Sequence, residues 1–187
     1  MKIKITSDST CDLSPELLRE NDIELFPLFI NKGDESFRDG VDIQPTDIFA
    51  HVAAGGALCS TAAVPVGVFH DRFAELAKEY DAVFHVNIGS GFSASHQNAV
   101  LAAEDLPNVY VIDSRNLSTG QGHVVLEACR LAKTATDPEE MYRQLNGAGQ
   151  RLLLRQRDAL RRLACPLGEL LQERHIVFRH FHGAASL

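Results

Sequence analysis

The chain has 187 residues, 45% of them hydrophobic and 23% charged, with a net charge of −7. That is the composition of one globular domain with a small appendage, and it excludes a disordered chain, a collagen and a coiled coil. No run of 18 apolar residues occurs, and the opening Met1-Lys2-Ile3-Lys4-Ile5 turns polar at Thr6-Ser7-Asp8. No transmembrane segment and no secretory leader are therefore expected.

The charge divides unevenly. Residues 1–149 hold 11 Lys+Arg against 22 Asp+Glu, whereas residues 150–187 hold 7 Arg, no Lys and 3 acids. An acidic body does not attract nucleic acid by its field, so no nucleic-acid partner is expected. Cys11, Cys59, Cys129 and Cys165 show no CxxC spacing and no zinc-type pairing with histidine. They are expected to be free thiols of a reducing, cytoplasmic compartment, with no metal bound.

In chain order, Ile3–Thr6 reads as a strand followed by the polar run Ser7–Asp12. Ser14-Pro15-Glu16 has the cap, the first-turn proline and the acid of a helix start. Residues 23–30 are almost wholly apolar and predict one buried strand, and Asp39-Gly40 predicts the turn of a hairpin over 35–43. Pro45-Thr46-Asp47 opens a short helix. Val66, Phe69, Phe73, Leu76 and Tyr80 form one apolar stripe of a longer helix. Ala82–Ile88 and Val109–Ile112 read as strands, each leading through a polar loop to a helix. Gly120 and Gly122 are expected to precede the helix that carries Val125, Ala128, Cys129 and Ala132. Asp137-Pro138-Glu139-Glu140 starts another. This alternation predicts an α/β fold: an open, mostly parallel sheet with helices on both faces, plus an Arg/Leu-rich C-terminal tail. In the tail, Leu153, Leu160 and Leu163 share a helix face that ends at Pro166, and residues 175–182 form a β-like run.

The polar loops all follow strands, at the sheet edge where open α/β folds bind ligands. Gly89-Ser90-Gly91-Phe92-Ser93-Ala94-Ser95 combines a sharp turn, three hydroxyls and a helix start, which suits an anion. Asp113–Gly122 is a second Gly/Ser loop, in which Asp113 is expected to bond the loop rather than act as a base. It lacks the third glycine of a dinucleotide fingerprint. No GxxxxGK[ST] run exists either, so no nucleotide cofactor is expected. Ser7-Asp8-Ser9-Thr10 offers hydroxyls and one carboxylate for a ligand or ion, and Thr61 is a fourth lining group. The competing class is a small-molecule hydrolase or transferase using Ser90 or Ser93 with His96 and Asp113, although the GxSxG elbow is absent. A third reading is an interaction module whose basic tail meets a membrane surface or acidic partner.

Five segments, in order, resemble the DegV family: Ser7-Asp8-Ser9-Thr10 with Asp12-Leu13; Pro27-Leu28 with residues 37–43; residues 61–69; residues 90–99; and Val111-Ile112-Asp113-Ser114 with Ser118, Gly120 and Gly122. The resemblance covers residues 1–146. It implies a fatty-acid-binding protein, a carrier rather than an enzyme, whose members hold a long acyl chain and in some cases present it to a fatty-acid kinase. It implies Thr61 and Ser93 as carboxylate ligands, and Ser9, Ser90, Gly91 and Ser114 of the loops are expected to bind the ligand with them. Ala62 and Ala94 stand where the family commonly has Ser and Gly.

The family's second domain, with its Gly-Gly-Arg segment, has no counterpart in residues 147–187, whose composition resembles a changed reading frame. With that wall of the tunnel missing, weak or absent fatty-acid binding and self-association to a homo-oligomer are the expectations.

Overall fold

The computed structural model describes residues 1–152, 154 and 155. The chain divides into two units, Met1–Gln150 and Arg151–Leu187, and the elements named below belong to the first. The expectations for Leu153, Leu160, Leu163, Pro166, Cys165 and residues 175–182 lie outside the described residues.

The core is a four-stranded parallel sheet. Strands β1 (Ile3–Asp8), β2 (Glu24–Phe26), β6 (Ala82–Asn87) and β7 (Val109–Asp113) lie in the order β2-β1-β6-β7. β6 is buried along its whole length, because both sheet faces are covered. Helix α3 (Val66–Glu79) lays Phe69, Phe73 and Leu76 on one face, beside α4 (Ser95–Ala102). There Phe26, Phe69 and Phe73 surround His85 of β6 with ring centroids 4.9, 5.1 and 5.3 Å away. On the other face lie α5 (Thr119–Ala132) and α6, which begins at 138 and runs to the end of the unit at 150. Phe84 stacks on Tyr110 at 4.8 Å, and Tyr110 meets Tyr142 of α6 at 5.7 Å.

The expected helix starts at Ser14-Pro15, Pro45 and Asp137-Pro138 are present: α1 is Pro15–Glu20, capped by the Ser14 hydroxyl, and α2 is Pro45–Ala53. Asp137 accepts the Glu139 N–H at 2.9 Å.

Three expectations are corrected. Residues 23–30 are two strands, not one, since Pro27 has no N–H to continue a ladder. β2 ends at Phe26, and β3 (Phe29–Lys32) enters a second, antiparallel sheet with β4 (Glu35–Arg38) and β5 (Ser60–Ala62), in the order β4-β3-β5. The hairpin turn is Gly33-Asp34, because Lys32 pairs with Glu35; Gly33 has φ +62°, the conformation a two-residue loop with Gly first requires. Asp39-Gly40 instead forms the loop after β4.

Gly120 and Gly122 lie inside the first turn of α5, not before it. A Cβ on Gly122 would stand 2.7 Å from the Cys11 carbonyl oxygen, so the missing side chain is what lets α5 close on the end of β1. Gly122→Ala is expected to lower stability by about 1–3 kcal/mol, from the backbone shift needed to relieve that contact; the urea midpoint measures it.

Candidate functional site

The chain leaves β1 toward β2 on one side, and β6 lies on the other, so the carboxyl ends of β1 and β6 flank the crevice where open sheets bind ligands. Here a side chain of the protein fills it. Asp8 is fully buried. Its Oδ1 accepts from the Thr10 N–H (3.1 Å), the Thr10 hydroxyl (2.6 Å) and Gln121 Nε2 (2.9 Å). Its Oδ2 accepts from Asn87 Nδ2 (3.0 Å) and the Ile88 N–H (2.6 Å). The candidate role of Asp8 in holding a ligand or ion is thereby corrected, because both carboxylate oxygens are consumed in joining the strand ends. Among the described residues no group of three His, Cys, Asp or Glu side chains is placed to hold a metal. Asp8→Ala removes the acceptor shared by five donors, of which the Thr10 and Ile88 N–H groups have no other among the described residues, and is expected to cost at least about 3 kcal/mol, read from the denaturant midpoint.

The Gly/Ser loop lies one step outward. Gly89 donates its N–H to the Asn116 carbonyl at 2.8 Å, and a Cβ there would be 2.9 Å from the Arg115 backbone, so the loops after β6 and β7 touch. Asp113 latches them. Its Oδ2 accepts the Ser90 hydroxyl (2.7 Å), and its Oδ1 accepts the Ser90 and Arg115 N–H groups (3.1 and 2.8 Å). Burial pushes this carboxyl up, but the bonds from Ser90 and Arg115 outweigh it and hold it below the usual range. Asp113 is the expected loop-bonding residue. In the same loop Arg115 and Ser118 adopt φ +54° and +56°, a region that ordinarily favours glycine.

The six nominated residues divide by what their polar atoms are doing. The Ser9 hydroxyl donates to Asp39 Oδ2 at 2.7 Å and accepts the Leu28 N–H at 3.2 Å, pinning the link between β2 and β3. Ser90 is committed to Asp113. Ser114 is buried, and its hydroxyl donates to the Asn116 carbonyl and accepts the Asn116 N–H, both at 3.1 Å. Gly91 is exposed, with open space where a Cβ would stand. Ser93 is half-buried and its oxygen accepts the Ser95 N–H at 3.1 Å, which leaves its O–H proton free. Thr61 sits exposed on β5 opposite Ile30, and no described residue bonds its hydroxyl. Ala94 has φ −67° and ψ −8°, which alanine adopts without strain.

Two positioning residues were not anticipated. Asn98 of α4 donates to the Val64 carbonyl at 2.8 Å, tying the segment after Thr61 to the helix that follows Ser93. Gln121 donates to Ser7 Oγ at 3.1 Å as well as to Asp8. The signal for Gln121 was present: it lies four residues before Val125 on the apolar stripe, a buried amide where the pattern calls for an aliphatic.

The hydrolase constellation does not form a relay in this geometry. Ser90 donates to Asp113 directly, and no hydrogen bond joins His96 to Ser90 or Ser93 among the described residues. Burial lowers His96, although the Asp113 charge opposes that. Burial, and secondarily the charge of His96, bring His85 down to about 3. The folded chain thus keeps His85 neutral, while an unfolded histidine takes up a proton near 6.5. Between about 6.5 and about 3 the unfolded chain binds more protons, so stability falls as pH drops through that window. The slope is expected to approach ~1.4 kcal/mol per pH unit and to flatten in His85→Leu, as denaturation midpoints across pH 4–7 would show.

The DegV family profile, "Uncharacterised protein, DegV family", matches residues 2–155. A DegV domain-containing protein of Clostridium perfringens is 35% identical over 146 residues, 77% of this chain and 52% of that one. A solved structure of a DegV family protein from Thermus thermophilus, described as showing fatty acid binding, is 31% identical with a TM-score of 0.73, covering 80% of this chain and 54% of its own. A stearic acid-binding protein from Eubacterium ventriosum is 29% identical with a TM-score of 0.68, covering 77% and 52% respectively. The chain spans about half the length of the curated relatives it matches. With the matched profile extending over most of its length, this chain belongs to the DegV family.

Proposed function

We propose that this chain carries the headgroup end of a fatty-acid-binding site, in which the Thr61 and Ser93 hydroxyls donate to the carboxylate of a long-chain fatty acid. One observation carries the reading: of the five nominated hydroxyls, those of the exposed Thr61 and the half-buried Ser93 donate to no described residue, whereas Ser9, Ser90 and Ser114 spend theirs on the protein. A desolvated carboxylate needs such charge-assisted donors. The Asn98–Val64 bond draws the two segments toward each other. Ser9, Ser90, Gly91 and Ser114 then shape the loops and do not touch the ligand.

The surroundings suit an acyl chain. Leu58 is 85% exposed, Phe49 72% and Phe92 63%, with Val66 and Val68 beside them in the sequence of Thr61. Leu58 precedes Thr61 by three residues and Phe92 directly precedes Ser93, so each of the two segments carries an exposed apolar side chain of the kind that marks an interaction surface. Two depressions, of about 200 and 420 Å³, lie elsewhere, among Leu131–Gln144 and among Met1, Asp22 and Lys133 respectively. With Thr61, Leu58 and Phe92 all exposed among the described residues, the headgroup region is read as an open face. The relatives described as binding fatty acids support the ligand class.

The role is that of a carrier rather than a catalyst, presenting the acid to a partner such as a fatty-acid kinase. The buried thiols of Cys11 and Cys129 and the accessible Cys59, all free, suit a cytoplasmic setting. No helix among the described residues is long and apolar enough to cross a membrane.

Each CH₂ left in water forgoes about 0.8 kcal/mol, so this open face is expected to bind oleate with micromolar or weaker affinity unless a second copy covers it. Isothermal titration with oleate is expected to show that binding, and Thr61→Val or Ser93→Ala to weaken it about tenfold each, the loss of one hydrogen bond to a charged group. Unchanged affinity in both variants overturns the assignment.

A further inference from the structure

The buried polar side-chain atoms without a partner among the described residues are His85 Nε2, Asn87 Oδ1 and His96 Nδ1. They are not scattered. His85 and Asn87 are two apart on β6 and so share the sheet face that meets α3 and α4, and both are fully buried. His96 lies in the first turn of α4, directly after Ser95. Asn87 closes the group: its Nδ2 is 3.4 Å from the Ser95 hydroxyl, next to His96 in the chain, while its Oδ1 has no donor.

Buried polar atoms are almost always satisfied, and each that is not costs about 1–3 kcal/mol. Three together point to one missing partner. The chemistry of the three atoms restricts what it is. Asn87 Oδ1 can only accept. His85 Nδ1 shares a 2.8 Å bond with the Thr6 hydroxyl, so whichever tautomer that bond selects, Nε2 is left as a single donor or a single acceptor. His96 Nδ1 has the same freedom. No cation of the described residues is bonded to them: Thr6 and the rings of Phe26, Phe69 and Phe73 surround His85, Asn87 donates to the Asp8 carboxylate, and the Asp113 charge acts on His96. An anion gains nothing here, whereas a neutral hydroxyl, which donates once and accepts twice, matches the set.

We infer that His85, Asn87 and His96 form a buried subsite for an uncharged hydroxyl, and that its source is a hydroxyl borne near the carboxyl end of the acyl ligand. The inference rests on the fatty-acid reading above, since one member of the subsite, His96, follows Ser93 by three residues in the chain and another, Asn87, reaches the Ser95 hydroxyl. It makes the preferred ligand a 2- or 3-hydroxy acid rather than the unsubstituted acid. The other source of a hydroxyl is a resident water, which gives no preference between the two.

The test is a competition on the full chain between 3-hydroxyhexadecanoate and hexadecanoate. The hydroxy acid is expected to bind about tenfold tighter, the worth of one buried hydrogen bond. His96→Leu, at a half-buried position that tolerates an aliphatic side chain, is expected to bring the ratio to one. Nitrogen NMR of the histidine rings adds a readout apart from affinity: the hydroxy acid shifts the His85 and His96 resonances and hexadecanoate leaves them in place. Equal affinities with unmoved ring nitrogens overturn the subsite and leave the carrier reading standing, with water as the occupant. A preference that survives in His96→Leu also overturns it. Failure of both acids to bind overturns the subsite and the carrier reading together.

Discussion

The Asp8 carboxylate is the join on which this half of the molecule depends. It ends β1, accepts from the backbone just beyond β6 and is held by Gln121 of α5, so three elements meet at one buried charge. Such a charge is tolerable only because its acceptor capacity is filled. The crevice at the strand ends is thereby occupied from within. Ser93, whose hydroxyl donates to no described residue, rides on the loop that the Asp113–Ser90 latch holds.

The second sheet is small but it determines where Thr61 goes. β5 pairs with β3, whose entry is pinned by Ser9 to Asp39 and Leu28, and the chain beyond it is pinned by Asn98 at Val64. A threonine on an exposed three-residue strand is thus fixed from both sides without being buried. The exposed side chains of Leu58, Val66 and Val68, near it in the chain, contrast with the closed aromatic packing about His85.

Much of the parallel sheet was legible in the chain. Short apolar strands alternating with capped helices, and the stripe of Phe69, Phe73 and Leu76, carry their periodicity openly. The antiparallel sheet was not, for a physical reason: β4 and β5 have no buried residue, so no hydrophobic alternation marks them. The break at Pro27 was visible as a residue without an N–H, but an unbroken apolar run outweighed it. At the site, the Gly/Ser loop with Ser93 and the hydroxyl of Thr61 were legible as lining groups, and their pairing as carboxylate ligands came from resemblance. Which hydroxyls were already spent could not be read from sequence, because Ser9 meets Asp39 and Ser90 meets Asp113 across 30 and 23 residues of chain.

The positive φ values at Arg115 and Ser118 carry a cost of about 1–3 kcal/mol each in a residue with a side chain. The loop keeps them because Asp113, Ser114 and the backbone of Gly89 hold it at several points. A segment so over-determined is already in its working shape before anything arrives. An incoming molecule that leans on it has no loop entropy to extinguish, so even a shallow contact surface retains more of its gross attraction as net affinity.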